Sequence, residues 1–296
     1  MKVSQEKMQA VADRLEEMLD GVHVEPVEVQ KNNEAIQGFL FRAEGESVSP
    51  NIYPTESGLE AIEAGNIDKA VVELLEAYKD APSADLNNNE VCDAIRNFDR
   101  VADALCVRLA PIKNNEAYLK GKPYKLFLDD LAALVYVDLG SVLGAGSHKF
   151  TVTVDLNITM MWEKDFDEVY SVALENMREQ VDAKRLVDIM ADRMGDEIRD
   201  YYDPFMCQFM VYSTKDVSLG AGVLPVILDE LKEKFERFVI LPSSVHEVIV
   251  FPVDLEHEAD TEELNNMVNF ANADAVELVD RLSDHAYYWN GNSFEF

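Results

Sequence analysis

The sequence predicts an α+β fold, with a mixed or antiparallel central sheet covered by helices and a smaller N-terminal helix-hairpin-helix portion. Three observations lead there. Apolar residues make up 48% of the 296, enough to bury a sizeable core. Helical and strand periodicities both occur. They follow one another without the strict strand–helix alternation of a doubly wound sheet. No low-complexity linker divides the chain, so residues 1–296 read as a single compact unit. A soft internal boundary falls near 81–89, where Pro82, Ser83 and three asparagines cluster; it separates an N-terminal subdomain, 1–84, from a main body, 85–296.

Val3–Leu19 places Met8, Val11, Ala12, Leu15, Met18 and Leu19 at helical spacing, and Gly21 stops it. Val24–Gln30 and Ile36–Phe41 flank the turn-rich Lys31–Asn32–Asn33 and read as a hairpin. Ser49–Pro50 and Tyr53–Pro54 break the chain before helices at Glu56–Ala64 and Ile67–Tyr78. A helix is expected over Asp85–Asp99, while Val101–Ala110 carries both signals. Leu126–Leu139 and Phe150–Leu156 are the best central strands, followed by helices at Asp165–Gln180 and Arg185–Tyr201. Met206–Tyr212 reads as a strand and Val226–Phe235 as a helix. Phe238–Leu241 and Val245–Phe251 form a strand pair around Pro242–Ser243–Ser244. A helix from Thr261 aligns Leu264, Met267, Val268 and Ala271, and Tyr287–Trp289 reads as an edge strand.

Charge is the extreme feature: 57 acids against 26 bases, a net of −31. The bias deepens toward the C-terminus, with Arg281 the single base from Phe238 onward. Such a field repels nucleic acid, anionic lipid and phosphorylated ligands, and attracts basic partners or cations. It also serves solubility. Cys92, Cys106 and Cys207 form no CxxC pair, so neither a zinc ribbon nor a thioredoxin-type site is expected. No apolar run approaches the roughly 20 residues of a membrane span, and the acidic Met1–Asp20 lacks the pattern of a secretory signal. A cytoplasmic protein is expected, with no membrane partner, no direct nucleic-acid binding and no cofactor.

Two segments, Gly144–Ala145–Gly146 and Gly220–Ala221–Gly222, follow strand patterns but match neither GxGxxG nor a Walker loop. Ser243–Ser244–Val245–His246–Glu247 is the most chemical-looking stretch, since serine, histidine and carboxylate lie within five residues. Triads draw their members from separate elements, because neighbouring strand residues face opposite ways. Ser243, Ser244, His246 and Glu247 are therefore weak catalytic candidates, read first as a capped loop leading into a strand. Glu256, Glu258, Asp260, Glu262 and Glu263 form a dense acidic run, a candidate binding surface. It lacks the central glycine of a calcium loop, so no metal site is expected.

Several segments occur together in a recognisable order: Val29–Gln30–Lys31–Asn32–Asn33 with Gly38; Ser49–Pro50–Asn51–Ile52–Tyr53; Asp130–Leu131–Ala132; Gly220–Ala221; Leu241–Pro242–Ser243–Ser244–Val245–His246–Glu247–Val248–Ile249; and Leu282–Ser283–Asp284–His285–Ala286–Tyr287. This series resembles the domain-of-unknown-function family numbered 5688, found in gut clostridia and related mobile elements. The resemblance implies an intracellular bacterial or phage-derived protein treated as one unit and supplies no catalytic residue. Two functional readings follow from the residues. One is a non-catalytic protein whose acidic surface binds a basic partner, as in a nucleic-acid mimic. The other is a hydrolase centred on Ser243–Glu247.

Overall fold

The computed structural model describes residues 2–44, 49–81, 88–144, 150–201, 204, 206–216, 219–242, 244–253 and 260–296. The N-terminal portion follows its hydrophobic pattern. Helix α1 (Gln5–Glu16) is capped by Ser4 and buries Met8, Val11, Ala12 and Leu15. Strands β1 (Val22–Gln30) and β2 (Ala35–Ala43) pair antiparallel, with β3 (Asn51–Ile52) beside β2. Glycine is required at Gly38, where a Cβ would lie 2.7 Å from the Tyr53 ring and 2.8 Å from the Ile52 carbonyl oxygen. Helices α2 (Glu56–Glu63) and α3 (Ile67–Lys79) close over Phe39, Phe41, Ile62 and Leu74, and the buried members of this core all fall between Val3 and Leu74.

In the main body, α4 (Asn88–Arg96), α5 (Phe98–Val101) and a short 3-10 turn lead into β4 (Leu105–Pro111). Then come α6 (Glu116–Leu119), β5 (Lys125–Phe127), β6 (Leu131–Asp138), α7 (Leu139–Leu143) and β7 (Thr151–Thr153). These strands form a four-stranded antiparallel sheet in which β6 pairs with β4, β5 and β7. Helices α8 (Leu156–Trp162) and α9 (Phe166–Gln180) precede β8 (Val181–Arg185), α10 (Leu186–Met194) and β9 (Met210–Thr214). The chain ends with α11 (Leu224–Lys234), β10 (Phe238–Leu241), β11 (Val248–Pro252), α12 (Thr261–Asp274), β12 (Tyr287–Trp289) and β13 (Phe294–Glu295). The second sheet is six-stranded and antiparallel, in the order β13-β12-β10-β11-β9-β8.

Strand alternation assigns the faces. In β6, Leu131, Ala133, Val135 and Val137 enter the large central core, while Ala132 and Leu134 meet Tyr118 and Leu119 of α6. In β10, Phe238 and Ile240 point to that same central core, and Val239 and Leu241 pack with Leu264 and Val268 of α12. Residues of α9, α11 and the turn at Gly220–Val223 fill the shared core between the sheets. The fold is α+β as expected, with both large sheets antiparallel.

Several local expectations are corrected. One central sheet is expected from Leu131–Leu139, Phe150–Leu156, Met206–Tyr212 and Val245–Phe251, but these segments divide between two sheets. Leu126–Leu139 is not continuous, because Leu128 and Asp129 both take positive φ and turn β5 into β6. Phe150–Leu156 stops at Thr153, since the Asp155 carboxylate accepts the Ile158 N–H and starts α8. Arg185–Tyr201 is shortened by Gly195, at φ 97°, and is preceded by the unexpected β8. Met206–Gln208 is a 3-10 turn, so the strand begins only at Met210. Tyr287–Trp289 is not an edge strand, because β13 pairs outside it. The expected helix start at Asp85 lies outside the described residues.

Gly222 carries the closest approach between core elements, where a Cβ would collide with the Val107 carbonyl oxygen of β4. Backbone cannot yield as a flexible side chain can. Gly222→Ala is expected to destabilise the protein by about 3 kcal/mol or more, read as a lowered urea midpoint. A shift below about 1 kcal/mol would mean that the sheets separate freely at this point.

Candidate functional site

The segments that carry the family resemblance are neighbours in space. The hairpin tip between β1 and β2 starts the assembly. Lys31 N–H donates to the Glu34 carbonyl at 2.8 Å, and Asn33 adopts a left-handed conformation, φ 65°, which asparagine tolerates better than most residues. The tip docks on Asn115, a side chain only 1% exposed, in the loop after β4. Asn115 Oδ1 accepts the Asn33 backbone N–H at 2.7 Å. Its Nδ2 donates to Asn32 Oδ1, Asn33 Oδ1 and the Pro111 carbonyl at 3.2, 3.0 and 2.9 Å. The two tip amides then donate onward, Asn32 to the Val279 and Arg281 carbonyls and Asn33 to those of Leu278 and Arg281.

The 278–281 turn passes this order to the stretch singled out in the sequence. Val245 N–H donates to the Asp280 carbonyl at 2.8 Å, and the Val245 carbonyl accepts from Ala221 N–H at 3.1 Å. These bonds keep 244–247 out of the sheet, so β11 begins at Val248 and not at the expected Val245. Ser244 Oγ accepts the His246 backbone N–H at 3.0 Å, which is turn capping. His246 Nδ1 accepts from Leu219 N–H at 3.4 Å, and Nε2 lies 3.4 Å from Asp280 Oδ1. Leu219 itself sits at φ 52°, a strained conformation for leucine. Glu247 contributes its carbonyl, which accepts from Ser244 N–H at 3.5 Å. Ser243 lies outside the described residues, as do Glu256 and Glu258.

A second histidine, which residue chemistry alone did not single out, is more enclosed. His285 Nδ1 lies 3.0 Å from Asp284 Oδ1, and Lys113 Nζ donates to the other oxygen of that carboxylate at 3.1 Å. These contacts hold the Asp284 carboxyl below its ordinary range, the His285 bond first among the causes. His285 Nε2 lies 3.3 Å from Asp130 Oδ2, yet it is buried and not aligned for a hydrogen bond. The Tyr287 hydroxyl donates to Asp130 Oδ1 at 2.7 Å. Tyr287 and the terminal Phe296 pack against the imidazole, with ring centroids 4.9 and 4.8 Å away. The signal in the sequence was the joint presence of Asp130 and Asp284–His285–Tyr287, separated by over 150 residues.

The acidic candidates behave differently. Asp260 is the N-cap of α12, its Oδ1 accepting from Glu262 N–H at 3.0 Å and Glu263 N–H at 3.2 Å. Glu262 and Glu263 are exposed in the first turn, where their charge suits the helix dipole. Asp274, the last residue of α12, and Glu277 beyond it are exposed at the other end, with Met267 and Phe270 between, Phe270 at 74% exposure. Among the described residues no group of three or more histidines, cysteines or carboxylates is placed to hold a metal ion. No described helix is long and apolar enough to cross a membrane. Burial pushes the Cys106 thiol up to about 11, which keeps it protonated and unreactive.

A model of the family described as a family of unknown function (DUF5688) matches residues 4–291. No curated protein and no solved structure matches the chain.

Asp130 yields a pH test. Burial raises its carboxyl above the ordinary 3.8, against the lowering effect of the Tyr287 hydroxyl and of His285. A carboxyl whose folded-state pKa is raised costs stability when ionised, and that cost disappears as pH falls through the folded value. Asp130→Asn keeps an oxygen for Tyr287 and removes the charge. It is expected to match or exceed the parent in urea midpoint at neutral pH, with the difference shrinking as pH falls toward 3.8. A variant clearly weaker than the parent at neutral pH would mean that the ionised carboxylate holds His285 in place.

Proposed function

The chain belongs to the DUF5688 family, whose description carries no activity, and from its own residues we propose that it is a non-catalytic, cytoplasmic interaction protein that binds a basic partner through its acidic surface. The observation that carries this reading is the outer face of α12. Glu262 and Glu263 stand at one end, Asp274 and Glu277 at the other, and Met267 and Phe270 are exposed between them. From Glu263 to Asp274 the helix rises roughly 16 Å. A duplex mimic would need charge repeated about every 1.7 Å of axis. The apolar centre of α12 instead favours a basic amphipathic segment, whose cations meet the acidic ends while its apolar residues cover Phe270.

The hydrolase alternative draws less support. Ser244 Oγ is engaged with backbone, the His246 ring is held between Leu219 and Asp280, and among the described residues no contact joins that hydroxyl to the imidazole. Direct nucleic-acid binding runs against the net charge of −31.

A fluorescent lysine-rich amphipathic peptide, with poly-lysine of equal charge as control, tests the reading by anisotropy titration at low and high salt. The quadruple variant Glu262→Gln, Glu263→Gln, Asp274→Asn, Glu277→Gln should bind the peptide about tenfold more weakly, four exposed charges being worth roughly 0.2–1 kcal/mol each. Phe270→Ala should weaken the peptide but not poly-lysine. Affinities indifferent to salt and to both changes would contradict the proposal.

A further inference from the structure

The strong negative charge makes one feature of the main body unexpected. Several cations meet carboxylates: Lys7 pairs with Glu63 at 2.8 Å, Lys125 with Asp167 at 2.5 Å, and Arg185 and Arg199 with Asp188; others, such as Lys232 over Trp289, rest on aromatic rings. Lys31, Arg108 and Lys122 are of the second kind. All three are partly buried, and among the described residues none has a carboxylate at ion-pair distance. Their contacts are aromatic. Lys31 Nζ lies 5.3 Å from the Tyr53 ring centroid. Arg108 Nη1 donates to the Tyr118 hydroxyl at 3.2 Å, and its guanidinium carbon lies 5.8 Å from the Tyr136 ring centroid. Lys122 Nζ lies 4.1 Å over the Tyr118 ring and donates to the Tyr118 carbonyl. Asp155 is the carboxylate whose charge Lys122 feels, and its side chain is already committed as the N-cap of α8.

Arg108 and Lys122 meet on Tyr118, and the docked hairpin tip carries Lys31 toward the same helix; like charges held in partial burial oppose folding. Both lysines have their pKa lowered, by burial first and then by Arg108. The hairpin tip is responsible for the convergence, because docking Asn32 and Asn33 on Asn115 carries the adjacent Lys31 toward β4. A cluster that costs stability while empty gains it when an anion enters. We propose that Lys31, Arg108 and Lys122, with the hydroxyl of Tyr118, form a binding site for a small phosphate-bearing anion. The guanidinium supplies a planar fork suited to phosphate oxygens. The Tyr118 hydroxyl accepts from Arg108, so its own proton is free to donate. Three positive charges suit a dianion better than a monocarboxylate. The ligand must also be small. Charges beyond about 8 Å are largely screened at physiological salt, so a compact dianion senses the local cations, whereas a polyanion would run into the surrounding acids.

Thermal unfolding of the full chain tests this with inorganic phosphate and pyrophosphate, against chloride at matched ionic strength and a single-stranded oligonucleotide. Pyrophosphate is expected to raise Tm by about 5 °C at a hundredfold excess over Kd. Lys31→Gln and Lys122→Gln should each abolish most of that rise. Lys31→Gln should also raise Tm in the absence of phosphate, because it removes a repelled, partly buried charge. Arg108→Lys keeps the charge but not the fork, and titration calorimetry should show pyrophosphate binding weakened about tenfold. Three results would overturn the site: no pyrophosphate response in the parent, a response surviving both lysine substitutions, or an oligonucleotide response larger than that of pyrophosphate. A lower phosphate-free Tm in Lys31→Gln would do the same, by showing that the charge serves structure.

Discussion

The buried amide of Asn115 is the interaction on which the rest of this architecture turns. An amide left unpaired away from water costs about 1–3 kcal/mol, and Asn115 is 1% exposed. Its partners come from Asn32 and Asn33 at the tip of the N-terminal hairpin. Those same asparagines reach the carbonyls of Leu278, Val279 and Arg281. One docked turn therefore fixes three regions at once. The N-terminal helices and sheet are joined to the four-stranded sheet, and both are joined to the segment that leads into β12. The consequences spread from there: the Asp280 carbonyl holds Val245, the Asp280 carboxylate faces His246, and Lys31 is carried with the docked tip toward the loop after β4.

Electrostatics divides the molecule into an outside and a junction. The outside carries the acidic excess, paired with lysine and arginine in several places and, among the described residues, unpaired along α12. The junction holds groups whose ionisation is displaced by burial: Asp130 and Tyr287 are both raised, while Asp284 is lowered by its histidine. Backbone strain falls in the same places. Leu219 beside His246, and Leu128 and Asp129 just before Asp130, all hold positive φ. Strain of that kind costs of order 1–3 kcal/mol per residue and persists where the surrounding contacts require it.

Much of the fold was legible because periodicity and burial agree. Met8, Val11, Ala12 and Leu15 line one face of α1, and Phe238–Leu241 alternates between two cores. The expectations that failed did so where a single side chain or torsion overrode an apolar pattern. Asp155 capped a helix inside an expected strand, Gly195 ended a helix early, and Leu128–Asp129 folded one expected strand into a hairpin. The site was legible only in part. Ser244 and His246 drew notice as neighbours in sequence, yet their contacts run to backbone and to Asp280. His285 passed unmarked as chemistry, because Asp130 reaches it through folding and not through spacing. Lys31, Arg108 and Lys122 were hidden by the overall charge, since a net of −31 says nothing about where cations gather.

The central claim is that the Asn33 amide, at the tip of a half-buried hairpin turn, is locked by a buried side chain 82 residues away. Residue-resolved hydrogen exchange of the intact chain measures that lock directly. The Asn33 backbone N–H should exchange about a thousandfold or more slowly than in a free peptide, and Asn115→Ala should remove most of that protection while leaving the central strand β6 protected. An Asn33 amide that exchanges at the rate of an open turn in the parent protein, or that stays protected in Asn115→Ala, would contradict the account.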